Sequence, residues 1–251
     1  MTGMELERNV AEGVHRIEDA FTNWYIVEDA GRLTVVDCGL PTSWDSLHAA
    51  LAELGHAPSA VEAVVLTHAH FDHVGFAEKA RTELGVPVHV HTNDVPLTKH
   101  PWRYDHERPR ARYLLGQPKA LPIVAALVRN RAWLAPAIKA VRRYETGAAL
   151  DVPGRPQVVF TPGHTLGHCA LHLPDRGVVL AGDAFVMLDP YTARRGPCIV
   201  AGAATADSER ALSSLDALAG LDADVALTGH GEPFRGSLAA AVDQARAAGP
   251  A

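Results

Sequence analysis

Cysteine is scarce in this chain, with only Cys38, Cys169 and Cys198 among 251 residues. Three scattered thiols cannot build a disulfide framework or a thiolate metal knuckle, and they read as small, partly buried side chains. No run of about 18 apolar residues occurs, so no spanning helix is expected. Residues 1–20 are polar and charged and lack the apolar core of a signal peptide, which makes a cytoplasmic location the default expectation. An excess of positive charge is missing too: 23 Lys and Arg against 29 Asp and Glu leave a net charge of −6. The molecule as a whole therefore has no electrostatic reason to bind nucleic acid. With 47% hydrophobic and 21% charged residues, it has the composition of a globular chain with a substantial core. Residues 1–251 are read as a single domain.

Strand-like and helix-like stretches alternate twice. Val14–Ile17, Trp24–Val27 and Leu33–Val36 are short β-prone runs separated by turn residues. Ser43 can cap a helix through Leu47, Leu51 and Leu54 that stops at Gly55. Val61–Leu66 is a continuous apolar run of strand length, the pattern of a strand buried on both faces. A helix through Phe76, Ala80 and Leu84 ends at Gly85, and Val88–Val90 is the next strand. After residue 150 the theme returns, with strands at Val158–Phe160, Ala170–Leu173, Val178–Leu180 and Val225–Leu227 and helices at Ala206–Leu218 and Leu238–Ala248. Two such β-α halves face to face would make an αββα sandwich, and the pattern is also compatible with other α/β folds.

Between the halves, residues 94–150 read as a helical insertion, with amphipathic helices at Leu121–Val128 and Trp133–Val141. From Lys99 to Arg143 it carries eleven Lys and Arg against two acids, Asp105 and Glu107. Two readings stand: a solvated surface whose Arg stems cover apolar neighbours, or a lid that gives apolar walls and a cation to an anionic or acyl small molecule. Arg194 and Arg195 are candidates for the same job. A homodimer contact or a membrane-facing role for Leu121–Val141 is left open, without stable membrane insertion.

Histidine is what the chain has in plenty, 14 in all, and several stand at strand ends. In Thr67-His68-Ala69-His70-Phe71-Asp72-His73, four potential ligands follow a buried strand directly. His68 and His70 are two apart, so in extended chain they leave the same face about 6–7 Å apart and can converge on one ion. Asp72 and His73 fall where the chain turns, aimed at a second. Imidazole and carboxylate suit a borderline divalent metal such as zinc, with no thiolate required. Three more strand ends repeat the device with a glycine beside a ligand candidate: Gly163-His164, Gly182-Asp183 and Gly229-His230. His89 and His91 form another pair two apart, but no carboxylate cluster follows, and they read as strand residues.

This combination resembles the metallo-β-lactamase-fold superfamily. The HxHxDH string stands at residues 68–73, a PGHTxGH-like segment at Pro162–His168, the GD motif at Gly182-Asp183 and the terminal GH at Gly229-His230. The resemblance runs from about Val14 to Phe234 and is weakest across 94–150. It implies the four-layer αββα sandwich, with the site along one edge of the two sheets. It also implies one metal on His68, His70 and His164, a second on Asp72, His73 and His230, and Asp183 bridging them. Asp37 matches an acidic position near the family site, and His168 is read as support for the ligands.

Departures within the family narrow the expectation. Asp183 stands where antibiotic-degrading members commonly have Cys or Ser, which points toward glyoxalase II-like thioesterases and lactonases. Only residues 231–251 follow His230, which argues against the helical domain that helps glyoxalase II bind glutathione. Lactonases with this ligand set carry a Tyr three residues after the bridging Asp; Val186 stands there, with Tyr191 the candidate substitute. His70 replaces the Glu of flavodiiron proteins, and the RNA-binding elements of the nucleases are not found. The expected activity is hydrolysis of an ester, lactone or thioester by a hydroxide bridging two divalent ions, zinc first and iron or manganese next. Asp72 orients that hydroxide or takes its proton. The alternatives are a mononuclear iron persulfide dioxygenase and a non-catalytic metal-binding protein.

Overall fold

Turn residues between β-branched and aromatic runs shape the first half of the chain as a meander. In the computed structural model, which describes residues 4–251 apart from the side chains at 114 and 115, β1 (Glu5–Ala11), β2 (Val14–Asp19), β3 (Thr22–Asp29) and β4 (Arg32–Val36) pair antiparallel in order. Helix α1 (Ser43–Leu54) then crosses over, and β5 (Val61–Val65) lies parallel to β4. A short α2 (Ala77–Lys79) runs into one π-helical turn, Ala80–Leu84. Both helical stretches stop as the sequence suggests, at Gly55 and Gly85, whose φ angles of 82° and 72° are left-handed and cost glycine little.

β6 (Val88–His91) continues the parallel part of the sheet. The helical segment follows, with α3 (Val95–Lys99), α4 (Arg110–Gly116) and α5 (Leu121–Arg129). β7 (Arg142–Tyr144) closes this seven-stranded sheet, whose order is the chain order. The second sheet holds β8 (Gln157–Phe160), β9 (Cys169–Leu173) and β10 (Val178–Gly182). A small hairpin, β11 (Val186–Leu188) and β12 (Arg195–Cys198), and two short helices, α6 (Ser208–Ser214) and α7 (Asp216–Ala219), precede β13 (Val225–Thr228), β14 (Phe234–Arg235) and α8 (Leu238–Ala248). The order of the second sheet is β14-β13-β10-β9-β8, with only the β10–β13 pair parallel.

Alternation along the strands makes four layers. Val64 and Leu66 join the core under α1, with Trp44, Leu47 and Leu51. Ala63 and Val65 point the other way, into the layer between the sheets, against Leu171, Leu180 and Leu227. Across the second sheet, Val179 and Ala181 turn outward to Leu215, Leu218 and Val242. The result is the αββα sandwich.

Three expectations need correction. Trp133–Val141 is not a helix: a single 3₁₀ turn, Ala132–Leu134, gives way to extended chain at Ala135. Pro136 lacks an N–H and disfavours helical geometry in the residue before it, which defeats the apolar periodicity there. The helical excursion is also shorter than 94–150, because β7 belongs to the sheet and the Tyr144 hydroxyl donates to the Leu66 carbonyl at 2.6 Å. Finally, the helix expected over Ala206–Leu218 is two pieces, α6 and α7, the first capped by Asp207, whose carboxylate accepts from the Arg210 N–H at 2.8 Å. Among the described residues, no helix is long and apolar enough to cross a membrane.

Candidate metal centre

Strands from both sheets end along one edge, and their loops bring the seven candidate ligands together. β5 delivers His68, His70, Asp72 and His73; the β8–β9 loop delivers His164; β10 delivers Asp183; β13 delivers His230. All seven are buried. Ligand atoms of His68, His70 and His164 lie within 4.8 Å of one another, and so do those of Asp72, His73 and His230. Asp183 sits between the two groups: its Oδ2 is 3.4 Å from both His164 Nε2 and His230 Nε2, and its Oδ1 is 3.7 Å from His73 Nε2.

Hydrogen bonds on the far side of each ring fix which nitrogen faces inward. The Thr67 hydroxyl donates to Asp37 Oδ2 at 2.8 Å, so it must accept from His68 Nδ1, 3.0 Å away. The Thr205 hydroxyl is committed to the Val200 carbonyl at 2.6 Å and meets His164 Nδ1 at 3.5 Å in the same way. His73 Nδ1 donates to Asp37 Oδ2 at 3.0 Å, and His230 Nδ1 to the Phe21 carbonyl at 2.7 Å. Each of these four imidazoles thus carries its proton on Nδ1 and turns the Nε2 lone pair inward, as a metal ligand requires.

Most of the inward atoms lack a hydrogen-bond partner among the described residues. Ten buried side-chain atoms lack a hydrogen-bond partner among the described residues, and five are here: Nε2 of His68, His70, His73 and His164, and Oδ1 of Asp183. Orphaned buried polar atoms are costly, so five gathered in and between these two groups fit bound cations. A further grouping, Asp37 with His68 and His73, is not a ligand set. The Asp37 oxygens already accept from the Thr67 N–H, the Thr67 hydroxyl and His73 Nδ1, at 2.8, 2.8 and 3.0 Å.

Electrostatics follow the same geometry. Burial and neighbouring imidazoles hold His68 well below the ordinary histidine range, and burial with His164 does the same to His70. Burial lowers His164 to about 4 despite Asp183. At His73 burial is overcome by Asp183, Asp37 and Asp72, which push it to about 10, so a cation taking its Nε2 must displace a proton from the ring. At Asp183, burial is outweighed by the pull of His230, His73 and His164, which keeps the carboxylate well below its usual range. Asp72 moves up, chiefly through burial.

Residues behind the ligands hold the loops. His168 is no ligand: its Nε2 accepts from the Asp183 N–H at 2.9 Å and its Nδ1 donates to the Thr161 hydroxyl at 2.8 Å. Asn23 donates to the Thr228 and Gly231 carbonyls at 2.9 and 2.7 Å, tying the His230 loop to β3. Gly229 has no room for a side chain, since a Cβ there would lie 2.0 Å from Asp183 Oδ1. The sequence reading missed Asp94. This buried carboxylate accepts from the Ala69 N–H, the Thr165 hydroxyl and the Gly167 N–H at 3.0, 2.8 and 2.8 Å, clamping the HxHxDH loop to the His164 loop. Nothing in Thr92-Asn93-Asp94 distinguishes it from a turn, because its three donors come from distant positions. His89 and His91 lie on β6 in no ligand group.

Two cavities meet the centre. One of about 330 Å³ reaches His70 and His164 past Arg103, Asp105 and His100. The other, about 250 Å³, reaches Asp72 and is walled by α5 and aromatic rings. Between them stands a tyrosine pair, Tyr104 and Tyr191, with hydroxyls 3.0 Å apart. The Tyr104 ring lies 4.0 Å from that of His70, and burial pushes its hydroxyl up to about 12. Tyr191 was expected near the site; Tyr104, inside the segment read as an insertion, was not. Arg194 and Arg195 need correction. Both are exposed and line neither cavity, and Arg194 turns away to donate to the Ala248 carbonyl at 2.9 Å.

Comparison with known proteins agrees with this geometry. Residues 17–230 match the model of the metallo-beta-lactamase superfamily, and the chain belongs to that family. It is 28% identical to the probable metallo-hydrolase YflN of Bacillus subtilis, over 90% of this chain and 86% of that protein. Among solved structures, the metallo-beta-lactamase family protein TTHA1429 from Thermus thermophilus is 27% identical, with a TM-score of 0.66 over 93% of this chain and 78% of its own. TTHA1623, solved in a di-iron-bound form, is 28% identical, with a TM-score of 0.59 over 85% of this chain and 89% of its own.

Proposed function

We propose that this chain is a binuclear metal-dependent hydrolase of esters, lactones or thioesters, acting on a small molecule. The observation that carries the reading is the set of five unpartnered buried ligand atoms, divided between two donor groups with Asp183 between them. His68, His70 and His164 would hold one divalent ion and Asp72, His73 and His230 the other. A donor set of imidazole and carboxylate suits zinc, with iron the second choice because TTHA1623 holds two irons. The complete second group weighs against a single-iron dioxygenase.

Held by these residues, divalent ions would lower the pKa of water and polarise a substrate carbonyl. The chain's own part is positioning. Asp37 fixes His73, Thr67 fixes His68, and His168 fixes the Asp183 backbone. Asp72, 3.6 Å from His230 Nε2 through its Oδ2, faces both the centre and the second cavity and is placed to accept the attacking water's proton on a carboxylate oxygen. Tyr104 and Tyr191 cover the centre, exclude bulk water, and present hydroxyls to substrate oxygens. Asp72→Ala should lower hydrolysis by about 10²–10⁴-fold, the range for a lost proton-transfer group, in a screen of esters, lactones and thioesters with metal-loaded protein. Full activity in that variant would overturn the assignment.

A further inference from the structure

The cavity that reaches Asp72 has a character the chemistry alone does not call for. It is a groove of about 250 Å³ with apolar walls. On one side the Phe71 and Trp102 rings stack at 3.7 Å, with Trp102 anchored by its N–H to the Ala132 carbonyl at 3.1 Å. On the other side α5 contributes Leu121, Val124 and Leu127. The outer rim is unusually apolar for an exposed surface: Leu121, Val128 and Trp133 are 54%, 54% and 55% exposed. Scattered exposed apolar residues mean little, but a group of them around one concavity marks a binding surface.

At its inner end the groove runs into the metal centre, since Phe71, Asp72 and Tyr191 line both. One cation stands at that junction. The Arg110 guanidinium lies 4.2 Å from the Tyr104 ring centroid, and its Nε is buried with no hydrogen-bond partner among the described residues. A buried donor without an acceptor is costly and calls for an oxygen from outside the chain. The opposite cavity, by contrast, carries Arg103, Asp105 and His100.

On the reading given under Proposed function, we infer that this groove binds the apolar acyl chain of the substrate. Arg110 takes an oxygen next to the reacting carbonyl, and the polar alcohol or thiol portion lies toward the opposite cavity. It leaves through that cavity when the substrate is an ester or thioester and remains tethered to the acyl chain when it is a lactone. The occupant is an acyl chain rather than a second protein surface because the groove is continuous with Asp72, which a flat partner face would not reach. The substrate class is thus a straight or lightly branched acyl ester, lactone or thioester with a polar alcohol or thiol portion.

The test has two readouts. In the first, Trp102 and Trp133 fluorescence is titrated with straight-chain carboxylates from acetate to decanoate. Affinity should rise about fourfold per methylene until the groove is full, the equivalent of about 0.8 kcal/mol per buried CH₂. In the second, kcat/KM of the metal-loaded enzyme is measured for esters and thioesters of the same acids and for lactones bearing alkyl chains of increasing length, with the same slope expected. Val124→Phe should move the optimum to shorter chains. Arg110→Met should weaken carboxylate binding about tenfold at every length while keeping the slope.

Hydrolysis without chain-length dependence would overturn the groove assignment and leave the proposed hydrolase standing. Chain-length-dependent binding without hydrolysis of any substrate would support the groove and overturn the hydrolase. A concentration-dependent dimer that abolishes carboxylate binding would reassign the groove as a self-interface and overturn the proposal.

Discussion

The ligand loops and the helical segment over residues 95–141 lie side by side and are built in opposite ways. In the loops, each side chain is held from behind by a second one: His73 by Asp37, the Asp183 amide by His168, the His230 loop by Asn23. His68 and His73 are fully buried, and Gly229 leaves a space that only hydrogen can fill. In the segment, α5 and the 3₁₀ turn after it carry four large apolar side chains that are more than half exposed, Leu121, Val128, Trp133 and Leu134. Over-determined geometry fits reacting atoms, which must be held to fractions of an ångström. Loosely determined apolar surface fits a wall that selects substrates. Substitutions in the loops should therefore abolish function, whereas those in the segment should change preference at little cost in stability.

Gly229→Ala should break the first half of that contrast most severely. The new Cβ would displace Asp183 from between the two donor groups, and metal affinity should fall at least as far as the ~100-fold typical of a lost supporting contact. Equilibrium dialysis with zinc checks this, and wild-type affinity would show that the loop is looser than described.

Asp94→Asn should be milder and selective. By weakening the clamp between the Ala69 and Gly167 amides, it should cost about 10–100-fold in metal affinity at the His68, His70, His164 group. The Asp72, His73, His230 group should change less, as resolved by stepwise competition with a chelator. The same variant carries a pH prediction. Burial raises the Asp94 carboxyl to about 6 against the pull of its three donors. A carboxyl raised in the fold favours the protonated native state, so its contribution is complete below about pH 4 and is lost as pH rises through 6. Urea melts of metal-free protein between pH 4 and 7 should show that slope in the wild type and not in Asp94→Asn.

At the small end, Leu134→Ser should change unfolding free energy by no more than about 0.5 kcal/mol, since Leu134 is 55% exposed and lies outside the groove. A loss of several kcal/mol would mean that the segment is packed as tightly as the loops.

The same contrast explains what could be read from the sequence alone. Candidate metal ligands stand out because His, Asp and Gly recur at particular strand ends, so His68 through His73, His164, Asp183 and His230 form a local pattern. The long strands and α1 were legible from apolar periodicity and from Gly55. Asp94 was not legible, because its three partners are brought together only by folding, and Tyr104 was hidden in a stretch whose dominant signal was positive charge. Trp133–Val141 carried helical periodicity, but Pro136 and the pairing of β7 with β6 decided otherwise. β1, β7, β11, β12 and β14 were missed because they are short or polar and lie at edges or in a hairpin, where neither alternation nor burial marks them. Arg194 was misplaced because charge near a ligand in sequence says nothing about the direction of a long side chain.

The central claim is that two cations share this site, and the most direct test is elemental mass spectrometry of the protein purified without added metal and again after reconstitution. The account predicts close to two divalent ions per chain, falling together when Asp183 is replaced by Ala. One ion per chain at saturation would contradict the binuclear centre, and none after reconstitution would contradict the metal site altogether.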